Sequence, residues 1–127
     1  MRYRALSALI LPAVMMAADA PKAEVKVGLG IEQHEITGES ADFKIAAGTK
    51  IYAWTKVTGA ADSSVTVSFM KDGKEVSKQE LKVSRSPYRT NAYRTFRNGD
   101  AGEWTVKILA ADGAELGSAT FKVSLEN

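Results

Sequence analysis

The chain has 127 residues, of which 45% are hydrophobic and 25% charged, and it contains one histidine and no cysteine. This length and composition are typical of one globular domain. The absence of cysteine excludes disulfide-stabilised small folds, cysteine-ligated zinc sites and iron–sulfur clusters. We therefore expect no metal ion and no cofactor.

Residues 1–20 have the pattern of a secretory signal peptide. Two arginines near the N-terminus precede an apolar run over residues 5–16, and small residues follow it. The apolar run is shorter than the roughly 20 residues that a membrane-spanning helix requires. The sequence therefore predicts cleavage after Ala18 or Ala20, a periplasmic or secreted location, and no transmembrane anchor after cleavage.

Cleavage would remove part of the excess positive charge. The whole chain carries 17 basic and 15 acidic side chains, and the predicted mature domain, residues 21–127, keeps 15 and 14 because Arg2, Arg4 and Asp19 are removed. The resulting net charge of +1 gives no general attraction to a polyanion. We therefore expect no nucleic-acid partner.

Alternation of apolar and polar residues after Glu24 predicts β-strands and no helix. The strands are expected at 25–36, 49–58, 65–70, 75–83, 88–96, 104–110 and 116–125, with a short apolar passage around Phe43 and Ile45 after the first. The dipeptide Asp72-Gly73 predicts a two-residue hairpin turn, because a type I′ turn needs positive φ at both central positions. Asp112-Gly113 is a second signal of this kind.

These elements predict an all-β fold, namely an immunoglobulin-like antiparallel β-sandwich of about seven strands. A closed up-and-down arrangement is the main alternative, although eight such strands usually take a longer chain. We expect one domain, without internal repeats or linkers.

The segment from Leu81 to Gly99 contains five basic and three aromatic side chains and no acidic residue. The planar fork of arginine suits carboxylate, sulfate and phosphate groups, and a tyrosine ring offers a flat face to a sugar. The alternative is a solvated sheet edge, where basic side chains prevent aggregation. The candidate ligand-binding residues are Arg89, Tyr93, Arg94, Arg85 and Lys82, together with Trp54 on the second strand.

Alternation along residues 88–96 assigns faces to these side chains. It places Arg89 and Tyr93 on the solvent face, and Arg94 with Phe96 on the core face. A buried arginine requires a carboxylate partner, so we expect one near Arg94.

The sequence offers no catalytic constellation. His34 is the only histidine, and no nucleophile motif accompanies it. Carboxylate pairs such as Glu32 with Glu35 are more simply interpreted as solvated strand faces. We therefore expect a protein that is not an enzyme.

Several short stretches occur in an order that resembles the bacterial domain-of-unknown-function family 2914, over roughly residues 48–116. They are Ile51–Gly59, Lys71–Glu75, Tyr88–Thr90, Gly102–Val106 and Asp112-Gly113. The resemblance implies a small all-β module, often exported, and implies no activity. Because this chain departs from the family pattern at Val67, Phe69, Tyr88 and Ala92, the resemblance extends to a binding role only at Arg89 and Arg94.

Together, these features predict an exported, monomeric, non-catalytic module that binds an acidic polysaccharide through its basic and aromatic strand. Interaction with an envelope protein, or a structural role in the envelope, is the alternative. A hydrolase ranks third, since no catalytic constellation supports it.

Overall fold

The computed structural model describes residues 20–126, so the predicted signal peptide, apart from Ala20, lies outside the described residues. All regular structure within this range is β-strand, and none of it is a helix that could cross a membrane. The strands are β1 (Lys22–Gly28), β2 (Gly30–Glu32), β3 (Glu35–Thr37), β4 (Asp42–Ala46), β5 (Thr49–Thr58), β6 (Ser63–Lys71), β7 (Lys74–Val83), β8 (Tyr88–Phe96), β9 (Gly102–Ala110) and β10 (Glu115–Glu126).

Eight of these strands form two sheets that pack face to face. One sheet has the order β1-β5-β8 and the other the order β4-β10-β9-β6-β7, while β2 and β3 form a separate hairpin. Neighbouring strands are antiparallel, except that β4 runs parallel to β10. This is the strand order of an immunoglobulin-like sandwich, with a three-stranded sheet opposite a five-stranded one. The predicted fold class is confirmed.

Alternate side chains from both sheets fill the core. Phe96, Trp104 and Phe121 are at most 2% exposed, and the Phe96 and Trp104 rings pack edge to face with centroids 4.8 Å apart. Edge-to-face packing is a preferred arrangement of aromatic rings. The core is therefore held together by apolar burial, which suffices at this chain length without disulfides.

The predicted first strand, residues 25–36, is wrong as a single element. The chain leaves β1 at Gly28, and the β2–β3 hairpin folds back over the outer face of the three-stranded sheet. A Cβ atom on Gly28 would lie 2.5 Å from the Thr37 carbonyl oxygen and 2.6 Å from Ile36 Cγ1. Glycine at this position therefore permits the hairpin to lie directly on the sheet.

The strand count also exceeds the prediction. The apolar passage around Phe43 and Ile45 is strand β4, which pairs with the end of β10 and brings the two sheets to eight strands. Both side chains are buried in the core. Alternation over five residues was too short a signal to identify this strand from the sequence.

The two Asp-Gly turns differ from each other. Asp72 and Gly73 have φ values of 51° and 84°, as the predicted type I′ turn requires. At the second turn only Gly113 has positive φ, and the Ala110 N–H donates to the Ala114 carbonyl oxygen across a longer loop. Both dipeptides connect neighbouring antiparallel strands, but only the first forms the two-residue turn.

Candidate anion-binding site

Strand β8, in the middle of the basic segment, orients its side chains as alternation predicts. Ala92 and Phe96 are buried, whereas Arg89 is exposed and Tyr93 is 50% exposed. The strand covers Tyr88–Phe96, the predicted bounds, and is an edge strand of the three-stranded sheet. Its outer face therefore presents Arg89 and Tyr93 to solvent.

A cleft of about 500 Å³ lies at the start of β8, where three parts of the chain meet. The hairpin between β2 and β3, strand β5 and the loop from β7 to β8 each contribute side chains to it. Its lining includes His34, Lys56, Arg85, Ser86, Tyr88 and Arg89. Three positively charged side chains from separate elements thus face one cavity.

Two of these cations lie directly opposite each other. Lys56 on β5 is the register partner of Arg89 on β8. Cβ atoms of directly opposed residues lie about 4.5–5.5 Å apart, and like charges at such positions are destabilising. Among residues 20–126, neither Lys56 nor Arg85 has a carboxylate within ion-pairing distance. The cleft therefore carries an excess of positive charge.

One carboxylate reaches this cluster. Glu35, at the start of β3, accepts a hydrogen bond from Arg89 Nη1 in a pair that is about half exposed on both sides. Exposed ion pairs contribute little to stability, about 0.2–1 kcal/mol. Glu35 therefore neutralises one of the three cations only in part and leaves Arg89 accessible.

The hairpin is held in place by its contacts with the sheet. The indole N–H of Trp54 donates to the His34 carbonyl oxygen over 2.7 Å, and the Lys26 ammonium lies 5.1 Å from the centroid of the indole ring. Gln33 and His34 both have positive φ, which makes a tight reversal at the tip. These contacts fix His34 and Glu35 beside the cleft.

Trp54 is therefore not a solvent-exposed platform. It points away from the core, on the same face as Lys56, yet it is only 3% exposed because the hairpin covers it. The aromatic side chain that lines the cleft is Tyr88, which packs partly against the core and whose ring centroid lies 5.6 Å from the Arg85 guanidinium carbon.

Tyr93 and Arg94 line a different groove, between the free edges of β7 and β8. Arg94 Nη2 lies 3.6 Å from Asp100 Oδ1, and its guanidinium carbon lies 5.2 Å from the Trp104 ring centroid. The carboxylate partner expected for Arg94 is thus present. These contacts assign the Arg94 side chain mainly to the packing of the sandwich edge.

Lys82 lies apart from the other candidates. It faces a third depression, together with Ser64 and Glu80, on the five-stranded sheet. The structure therefore brings Arg85 and Arg89 together, leaves Tyr93 and Arg94 in a neighbouring groove, and separates Lys82 and Trp54 from both. No cluster of three metal-ligating side chains occurs within residues 20–126.

Comparison with known protein families gives a match in the second half of the chain. Residues 62–123 match the protein family of unknown function DUF2914. The match bears out the predicted resemblance, although it begins after β5 and extends further into β10 than residues 48–116. No curated protein matches the chain.

The DUF2914 segment contains only part of the cleft. It spans strands β6 to β9 and most of β10, and so includes Arg85 and Arg89. Lys56 and the hairpin residues His34 and Glu35 precede it. The cleft therefore combines the basic loop of the DUF2914 segment with side chains from the N-terminal strands.

The sequence interpretation included neither Lys56, His34 and Glu35 nor the lining residues Ser86 and Tyr88 in the site. Lys56 shares a face of β5 with Trp54, a pattern that was visible without indicating a ligand site. Glu35 was interpreted with Glu32 as part of a solvated strand face, and His34 lacked the partners of a catalytic site. Only the docking of the hairpin on the sheet brings them to Arg89.

Proposed function

We propose that this protein is a non-catalytic binding module that recognises an acidic polysaccharide through the cleft. The observation that carries the proposal is the convergence of Lys56, Arg85 and Arg89 on one cavity, with Lys56 and Arg89 directly opposed. Arginine forks bind carboxylate and sulfate groups through two parallel hydrogen bonds. The Ser86 hydroxyl oxygen accepts a hydrogen bond from the Gly59 N–H, so this hydroxyl can still donate its proton to a sugar oxygen. The Tyr88 ring packs partly against the core and offers its remaining surface to the cleft.

If the ligand binds in this cleft, its affinity should depend strongly on the salt concentration and on Lys56. The purified protein is expected to bind dextran sulfate and polygalacturonate, but not uncharged dextran, and to bind less tightly as ionic strength rises. Lys56→Gln should lower the affinity about three- to fivefold, because one exposed ion pair contributes up to about 1 kcal/mol. Isothermal titration at two salt concentrations measures both effects.

Lys44→Gln is the matched control for this experiment. Lys44 is exposed on β4, in the opposite sheet, so its loss removes the same charge away from the cleft. Failure of the parent protein to bind either polymer at low salt would contradict the proposal, as would equal losses in the two variants.

The alternative function, protein interaction by strand addition, has less support. The free edge of β7 is interrupted by a bulge at Val76, where the register passes from Phe69↔Ser77 to Met70↔Glu75. The edge of β8 carries the inward-pointing charge of Arg94. Bulges and inward charges are devices that prevent a sheet edge from pairing with another strand.

We further propose that the module acts outside the cytoplasm. The charged and apolar pattern of residues 1–20 supports this proposal. Expression of the whole chain in a bacterial host is expected to yield a periplasmic or secreted product that begins at Asp19 or Pro21. Deletion of residues 2–20 should retain the product in the cytoplasm. Cell fractionation and N-terminal sequencing measure both outcomes, and an uncleaved cytoplasmic product of the whole chain would contradict export.

A further inference from the structure

We propose that the groove beside Tyr93 is a second subsite for the same acidic polysaccharide. One charged sugar of this ligand would occupy the cleft, and another sugar ring would stack on Tyr93 in the groove. The proposal rests on the proposed function, because it extends a ligand that the cleft would hold. Residues 89 and 93 lie on one face of β8, four residues apart, which corresponds to about 13 Å along a strand. A ligand that contacts both Arg89 and Tyr93 must therefore be longer than a single sugar.

The groove contains the side chains that a charged sugar requires. It lies between β7 and β8 and is lined by Ser77, Lys78, Gln79, Tyr93, Thr95 and Arg97. Hydroxyl and amide groups can hydrogen-bond sugar hydroxyls, and the two cations can contact a carboxylate or sulfate. Among the described residues, neither Lys78 nor Arg97 has an ion-pair partner.

The one carboxylate that lines the groove, that of Asp100, already has partners within the protein. Asp100 Oδ2 accepts a hydrogen bond from the Arg97 backbone N–H over 2.8 Å, and Asp100 Oδ1 faces Arg94 Nη2. Asp100 therefore neutralises Arg94 and leaves the charges of Lys78 and the Arg97 guanidinium available to a ligand. The groove, like the cleft, has a positive excess.

Tyr93 is held in a defined orientation at the border of the groove. Its ring lies 5.5 Å from the Tyr52 ring, at an angle of 50°, and the Lys50 ammonium lies 4.7 Å from its centroid. Half of Tyr93 is nevertheless exposed, and part of it lines the groove. An oriented and exposed aromatic ring loses little conformational entropy when a ligand stacks on it.

Strand β8 has a free edge between the two points. Strand β8 has a paired neighbour only on its β5 side, so the groups directed to its other side are unpaired within the sheet. Such free edge groups can donate to or accept from a ligand that lies along the strand. An acidic oligosaccharide extending from Arg89 to Tyr93 would follow this edge.

Ligands of different length distinguish the two subsites. Isothermal titration of the purified protein with digalacturonate and hexagalacturonate compares a ligand that fills only the cleft with one that reaches the groove. Tyr93→Ala is expected to lower the affinity for the hexamer about three- to tenfold, as expected for an aromatic contact of this kind, and to leave the affinity for the dimer within twofold. Tyr93→Phe, which keeps the ring, should behave as the parent protein with both ligands.

Arg89→Ala distinguishes failure of the subsite from failure of the proposed function. It should lower the affinity for both oligomers, because both place a carboxylate in the cleft. The second subsite would be overturned if Tyr93→Ala lowered the affinities for the hexamer and the dimer equally. It would also be overturned if Tyr93→Ala lowered neither affinity. If the parent protein bound neither oligomer, the subsite and the cleft would both be rejected as sites for acidic sugars.

Discussion

Replacement of both Arg85 and Arg89 by alanine is expected to lower the affinity for dextran sulfate and polygalacturonate at least tenfold. Each arginine can donate two hydrogen bonds to one oxyanion, and charge-assisted hydrogen bonds are the stronger class. A tenfold loss corresponds to about 1.4 kcal/mol, less than two such contacts can supply. The double variant also leaves the Glu35 carboxylate unpaired beside the cleft, which adds repulsion toward an anionic ligand.

The fold should survive this change. Arg85 and Arg89 are exposed, and the ion pair that is lost is about half exposed on both sides. Lys44→Ala combined with Lys122→Ala is the matched control, because it removes two positive charges from exposed positions on β4 and β10 in the opposite sheet. Similar losses of affinity in the two double variants would indicate attraction by net charge alone and would contradict a specific cleft.

The substitution Gly28→Ala is expected to lower the free energy of unfolding by about 1–3 kcal/mol, the usual cost of overpacking. The added methyl group would meet the Thr37 carbonyl oxygen at 2.5 Å, and a backbone atom cannot move aside as the end of a side chain can. The hairpin would have to lift from the sheet. The hydrogen bond from Trp54 to the His34 carbonyl oxygen and the contact of Glu35 with Arg89 would then be strained together.

Two measurements report this displacement. Urea denaturation gives the loss of stability, and tryptophan fluorescence should shift to longer wavelength as Trp54 becomes hydrated. Gly30→Ala is the control within the same hairpin, because its Cβ would approach only the side-chain hydroxyl of Thr37, at 2.8 Å, which can rotate away. A Gly28→Ala protein with the stability and emission of the parent would show that the hairpin does not pack on the sheet in this way.

Local pattern predicted most of the strands well. Strands β5 and β8 have the expected bounds, and Asp72-Gly73 forms the expected turn. These features depend on neighbouring residues, because alternation places side chains on opposite faces and a type I′ turn selects residues that tolerate positive φ. The first strand was predicted wrongly because the same alternation continues across Gly28 into the hairpin.

The candidate site was less predictable than the strands. The alternation correctly predicted that Arg89 and Tyr93 are exposed, and the predicted burial of Arg94 correctly implied a carboxylate near it. It could not show that Trp54, on an outward face, is covered by another part of the chain. It also could not divide the basic segment into a cleft and a separate groove, since that division depends on which elements lie beside β8.

The sequence by itself determined the all-β class, the resemblance to DUF2914, the Asp72-Gly73 turn and the concentration of basic and aromatic side chains in residues 81–99. Only the tertiary structure decided which of these side chains face a common cavity. Lys56 meets Arg89 through the register between β5 and β8, and Glu35 meets Arg89 because the hairpin packs over Gly28. The physical reason is that alternation specifies the face of a strand on which a side chain lies, whereas its neighbours are set by long-range strand pairing and close packing.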